Sequence, residues 1–132
     1  MKDENLSFEW YNPELGPPIV SIAEYGLTFN KSAIKKLNNP EAIKLGFDKK
    51  NLIIGIKPAK KEDGNSFEFA NKQSRGYIRV NNKGFVKLIR AYCDDYDFEK
   101  TVRFIGRMNN EKNIFVVDLN KPADLNNSQE DK

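Results

Sequence analysis

GLTFNKSAIKKL, residues 26–37, and IRVNNKGFVKLI, residues 78–89, read as two copies of one segment. Phe29-Asn30 lies against Val80-Asn81, Ala33 against Gly84, Ile34 against Phe85, and Lys36-Leu37 against Lys87-Leu88. In the first copy Leu27 and Phe29 alternate as strand residues do. Asn30 then caps a helix, because its side-chain oxygen can accept the unpaired N–H groups of the first turn. Ala33, Ile34 and Leu37 form the apolar side of that helix, with Lys31, Lys35 and Lys36 outside. In the second copy Asn81 or Asn82 is the cap, and Phe85, Leu88, Ile89 and Tyr92 recur at helical spacing. The spacing outweighs the competing local reading of Asn81-Asn82-Lys83-Gly84 as a tight hairpin turn, since a continuing strand would repeat every second residue.

Both segments lead into a hairpin, AIKLGFDKKNLIIGIKP (42–58) in one half and TVRFIGRMNNEKNIFVVDL (101–119) in the other. The unit is therefore strand, short helix and hairpin, written twice. One unit holds too little apolar surface to stand alone, whereas two can pair their hairpins around a shared core. The fold class that follows is α+β, β-dominated, with two strand-helix-hairpin repeats closing a small barrel-like sheet. Upstream, Ile19–Ala23 is a further strand that turns at Glu24-Tyr25-Gly26. The organisation reads as an N-terminal arm (1–18), a single domain of two repeats (19–119), and a polar, disordered tail (120–132). Within the domain the repeats span 19–58 and 77–119. The connector between them, 59–76, is polar, with Phe67 and Phe69 alternating as an edge strand.

Composition removes whole classes of chemistry. The 132 residues include no His, so Ser-His-Asp and Cys-His catalysis, His-containing zinc sites and His-based pH switches are excluded. Cys93 is the single cysteine, which rules out an intrachain disulfide and a Cys-rich metal centre and suits a reducing cytoplasm. Cys93 falls in register with Ile89, as a small buried hydrophobe would. The opening MKDENLSFEW is acidic and polar rather than a signal peptide, and no apolar run approaches the roughly 18 residues of a membrane span. Phosphate-binding glycine patterns are missing. Asp94, Asp95, Asp97 and Glu99 lack the glycine turn and the bidentate Glu of an EF-hand loop, so they read as an acidic connector rather than a metal site. No catalytic residue, cofactor, metal or small-molecule substrate is expected.

Charge is uneven along the chain. Lys2 against Asp3, Glu4, Glu9 and Glu14 gives residues 1–14 a net charge of −3, and the last ten residues carry −2. The total of +3 therefore conceals +8 over residues 15–122. A basic body suits a polyanionic partner. Lys31, Lys35 and Lys36 cluster at the first helix, and Lys83, Lys87 and Arg90 at the second. Either cluster alone suits a solvated helix face; a pseudo-twofold between the repeats would bring both to one face. Arg75 and Arg79 add contacts, and the arginine fork reads bases better than lysine does. For single-stranded nucleic acid, Tyr77 beside Arg79, and Phe104 between Arg103 and Arg107, stand where stacking platforms would be needed.

The segment GLTFNKSAIKKL followed by IKLGFDKKNLIIGIKP resembles the swapped-hairpin AbrB/MazE/SpoVT family, and the weaker copy at 77–119 resembles its tandem form as in MraZ. In that family two copies interlock, and basic residues beside the turn and helix contact DNA. The resemblance implies a DNA-binding regulatory protein of bacterial or phage type. The chain departs from the family pattern at two diagnostic positions, with Leu27 where an Arg follows the glycine and Asn30 where a Pro stands.

A second function competes. Phe8, Trp10 and Tyr11 fall within four residues, the aromatic density of an interface anchor. A non-catalytic protein-interaction or assembly module would use them for a partner, or for homo-oligomerisation through uncovered strand edges. The favoured alternative for these three residues is structural: they fold back onto the barrel and close its open edge, with Leu6, Phe8 and Trp10 alternating as a short half-buried strand.

Overall fold

The alternation and capping signals act locally to form the elements of a computed structural model that describes Ser7, Phe8, Trp10 and residues 16–123. Strand β1 (Ile19–Ala23) turns into β2 (Gly26–Phe29), and α1 (Lys31–Lys36) follows. Next come the hairpin of β3 (Ala42–Asp48) and β4 (Ile53–Ala59), then β5 (Phe67–Glu68), a 3-10 turn at Ala70–Lys72, and β6 (Gln73–Ser74). Strand β7 (Tyr77–Asn81) leads to α2 (Lys83–Tyr92) and the hairpin of β8 (Val102–Asn109) and β9 (Ile114–Pro122). The protein is β-dominated. Its nine described strands form one antiparallel sheet, in the order β5-β3-β4-β9-β8-β1-β2-β7-β6, which curls into a half barrel.

Within that order each hairpin abuts another. The β3–β4 hairpin meets β9–β8 through β4 and β9, where Gly55 pairs with Val116. The β1–β2 hairpin meets β7–β6 through β2 and β7, where Thr28 pairs with Arg79. Strand β1 is continuous and bonds to β2 on one edge and β8 on the other. On the far side of the half barrel two short strands serve those ends: β5 pairs with β3 and β6 with β7, and the 3-10 turn separates them.

The concave side holds the core, and period-two alternation puts every second strand residue there. Val20, Ile22, Leu27, Phe29, Ile54, Ile56, Ile78, Phe104, Phe115 and Val117 are fully buried. The Phe29 ring meets Phe69 edge-on with centroids 5.1 Å apart, which joins β2 to the 3-10 turn across the curl. Two glycines admit this geometry. Gly26 takes φ +148° and lies so close to the Val80 carbonyl that a β-carbon has no room, and Gly106 lets the Phe115 ring rest against its backbone beside a break in the β8–β9 register.

Both helices begin as the asparagines dictate. Asn30 Oδ1 accepts from Ala33 N at 2.9 Å, and Asn82 Oδ1 accepts from Phe85 N at 3.0 Å. The tight-turn alternative at Asn81–Gly84 is therefore not adopted. The face of α2 differs from expectation. Val86, Ile89 and Cys93 are buried and Phe85 is half-buried, while Leu88 and Tyr92 are 44% and 46% exposed. The reason is one extra residue: β7 extends through Asn81, so Asn82 is the cap and the buried stripe moves on by one position. Aligned on their caps, the helices match as Lys31 with Lys83, Ile34 with Val86, Lys35 with Lys87, and Leu37 with Ile89.

Two further differences concern the ends. Strand β9 runs to Pro122, past the expected boundary at 119, and Ala123 N still donates to Arg103 O; residues 124–132 lie outside the described residues. Phe8 and Trp10 are not in a strand and are 66% and 86% exposed, their rings 5.7 Å apart. They do not close an edge, and the edges of β1 are already taken by β2 and β8. Leu6 and Tyr11 lie outside the described residues.

Candidate nucleic-acid interface

Cross-strand partners share a face of a sheet, so the registers define what the convex side presents. Thr28 pairs with Arg79, Ser21 pairs with Thr28, and Ser21 pairs with Arg103. Arg79, Thr28, Ser21 and Arg103 thus form one row across β7, β2, β1 and β8. At the usual strand spacing its two arginines stand about 14 Å apart. The neighbouring row places Ile19 opposite Ile105. Tyr77 and Ile105 are 53% and 49% exposed, two bulky side chains left open on the sheet face. Arg107 follows one alternation further along β8 and is exposed. None of these four strands contains Asp or Glu, and among the described residues Arg79, Arg103 and Arg107 form no ion pair.

Local contacts hold this face in shape. The Arg79 guanidinium lies 4.3 Å from the centre of the Tyr25 ring, an attraction between cation and ring face that limits its rotamers. Tyr25 Oη is within 3.5 Å of Thr28 Oγ1, and Tyr25 O accepts from Asn82 N at 2.7 Å. Asn30 does more than cap α1. Its Oδ1 also accepts from Ile19 N at 3.0 Å and its Nδ2 donates to Pro17 O at 3.0 Å. Asn30 thereby ties the start of β1 to the end of β2. Ile19, Ser21, Thr28, Asn30, Tyr77 and Arg103 line a shallow depression of about 340 Å³ on this face.

Of the basic residues expected in the site, some converge here and some do not. The aliphatic stem of Lys31 packs over Gly76, whose φ of +84° makes the turn into β7, so Lys31 sits beside Arg75 and Tyr77. Arg79 is in the row itself. Lys35 is exposed and Lys36 half-buried on α1. Lys83, Lys87 and Arg90 are exposed on α2. The two helices leave the β2–β7 ladder at opposite ends, because α1 follows Phe29, which pairs with Ile78, whereas α2 follows Asn81, which pairs with Gly26. The α1 and α2 lysines therefore do not merge into one cluster around that ladder.

Arg103 and Arg107 join the site in place of the α2 set. Their signal lies in the alternation of VRFIGRM, which puts Arg103, Ile105 and Arg107 on one face. The same alternation sends Phe104 inward, fully buried, so it is no stacking platform. What sequence alone does not reveal is that β8 pairs with β1, far away in the chain.

Elsewhere the titratable groups serve turns and core. Asp48 accepts from Lys50 N, Asn51 N and Asn51 Nδ2, and the Asn51 contacts hold its carboxyl below the usual range. Burial pushes the Cys93 thiol up, away from a reactive thiolate. Burial likewise raises the Tyr96 phenol, which donates to Leu119 O at 3.0 Å. Among the described residues no group of three or more acidic or thiol side chains converges as metal ligands would. No helix of the described residues is long and apolar enough to cross a membrane. Comparison with family models, with curated proteins and with solved structures finds no match.

Proposed function

We propose that this chain is a non-catalytic nucleic-acid-binding protein of the bacterial or phage regulatory kind, acting in the cytoplasm through the convex face of β8, β1, β2 and β7. One observation carries the reading: a row with Arg79 at one end and Arg103 at the other, on four strands free of carboxylates. Phosphate contacts from arginine and lysine supply affinity without sequence preference, and Arg107, Lys31 and Arg75 extend the row at its margins. The same reading takes the fold as two strand-helix-hairpin repeats related by a pseudo-twofold, a distant likeness of the AbrB/MazE/SpoVT architecture. Support comes from the registers: Thr28 and Arg79 are equivalent in the repeat and are also partners in the ladder, as are Gly55 and Val116 when the two hairpins are aligned on their turns.

Titration against labelled DNA at low and high salt tests the function. Five phosphate contacts predict a slope of log affinity on log salt near −3.5 for single strands, about a hundredfold loss between 50 and 200 mM. Absence of binding near 50 mM salt contradicts the proposal. A second reading, a partner-binding or assembly module, draws on the exposed and adjacent Phe8 and Trp10 rings. Under it, Trp10→Ala changes oligomer size or partner capture and leaves DNA titrations as they were.

A further inference from the structure

The geometry points to single-stranded nucleic acid as the ligand of the convex face, with a base stacked on Tyr77 and the strand's phosphates on Arg79 and Arg103; this rests on the nucleic-acid reading above. A duplex is read by an element that stands proud and enters a groove, usually a helix or a two-stranded ribbon. Here the arginines stand on a broad sheet of four paired strands, each flanked on both edges. A surface of that kind meets a strand whose bases are splayed, since each base offers a ring face to stack and each phosphate a charge to pair.

Tyr77 is the platform the chemistry requires. Tyr77 is more than half exposed and lines the depression together with Ser21 and Thr28, whose hydroxyls can bond to base edges, and with Asn30, whose side chain is already bonded to the backbone. Ile19 opposite the exposed Ile105 adds apolar floor beside it. Arg103 closes the depression on the far side, while Arg79 is held by the Tyr25 ring and lines a neighbouring depression with Lys72 and Glu68, to which it is not ion-paired among the described residues. Aromatic, apolar and cationic groups therefore alternate across the face, and no carboxylate on these strands repels a phosphate backbone. Burying an aromatic ring was the alternative use for Tyr77, and its exposure leaves it free for a ligand. A single strand also accommodates the curl of the sheet better than a stiff duplex does.

The test is fluorescence anisotropy with twelve-nucleotide oligo(dT) and oligo(U) and a twelve-base-pair duplex, at about 50 mM salt where phosphate contacts are strong. Both single strands are expected to bind at least about tenfold tighter than the duplex. Tyr77→Ala is expected to weaken single-strand binding about tenfold, the usual cost of a lost stacking platform, with Tyr77→Phe restoring it. Tyr92→Ala, an exposed ring on α2, should change nothing. Tighter binding of both oligo(U) and oligo(dT) than of the duplex supports the inference, and a difference between the two reports the 2′-hydroxyl together with the thymine methyl. Because Tyr77 stands on the surface, the variants should retain the parent's circular dichroism, so weakened binding is not a folding artefact. Duplex binding equal to or tighter than single-strand binding overturns the inference, as does full affinity in Tyr77→Ala. Salt-sensitive duplex binding would still leave the proposed function standing; no binding to any of the three overturns both.

Discussion

Asn30 and Asn82 each open a helix with a lysine at its first position, yet the two helices contribute to the molecule in different ways. Asn30 bonds to Ala33 N, Ile19 N and, through its amide, Pro17 O, so it shapes the depression on the convex face as well as starting α1. Asn82 has a side-chain bond to Phe85 N alone among the described residues. Helix α1 buries Ser32, Ala33 and Ile34 within six residues, while α2, ten residues long, leaves Leu88 and Tyr92 in the open. Local sequences of one pattern can thus be used once to build a sheet surface and once to cover an end of the half barrel. The charges of the proposed interface follow the sheet. Lys31 lies over Gly76 at its margin, whereas its cap-aligned counterpart Lys83 leaves the ladder at the other end.

Charge reversal should break the comparison most sharply. Arg79→Glu with Arg103→Glu is expected to lower oligonucleotide affinity by about a hundredfold or more at low salt, since two attractions become two repulsions. Lys83→Glu with Lys87→Glu should lower it by only a few-fold, through net charge. Equal losses in the two anisotropy titrations would mean that α2 shares the interface.

Stability effects are smaller and follow the backbone. Gly26→Ala removes the only residue type that fits φ +148° against the Val80 carbonyl and should cost at least about 2 kcal/mol in urea unfolding. Asn30→Ala should cost about 1–2 kcal/mol and Asn82→Ala about 1 kcal/mol, because the first cap also bonds β1 and Pro17. Equal costs would show that the extra bonds of Asn30 add nothing. Leu88→Ala should fall within about 0.5 kcal/mol, the range of surface changes; a larger loss would place Leu88 back in the core.

Much of this architecture is legible in the chain because its signals are local. Asn caps, the Glu24-Tyr25-Gly26 turn and period-two alternation locate β1, β2, α1, β7 and both long hairpins to within a few residues. The burial of α2 was less legible: Phe85, Leu88, Ile89 and Tyr92 form one helical stripe, but Val86, Ile89 and Cys93 form another, and only the position of the cap chooses between them. Matching Lys31 to Lys83 rather than to Asn82 selects the stripe that is buried. For the candidate site, Tyr77 and Arg79 could be found from their own strand. Arg103 and Arg107 also stand out in their own strand, but the placing of Arg103 in one row with Arg79 needs the β1–β8 pairing, a contact between residues some eighty positions apart, which no local pattern encodes.

In the proposed complex the convex face, and not α2, meets the nucleic acid. Backbone amide shifts followed by 15N-1H NMR as a twelve-nucleotide single strand is added address it directly. The largest changes are expected at Ser21, Thr28, Tyr77, Arg79, Arg103 and Ile105, with Lys83–Tyr92 nearly still. Changes concentrated on Lys83, Lys87 and Arg90, with the sheet residues unmoved, would contradict it.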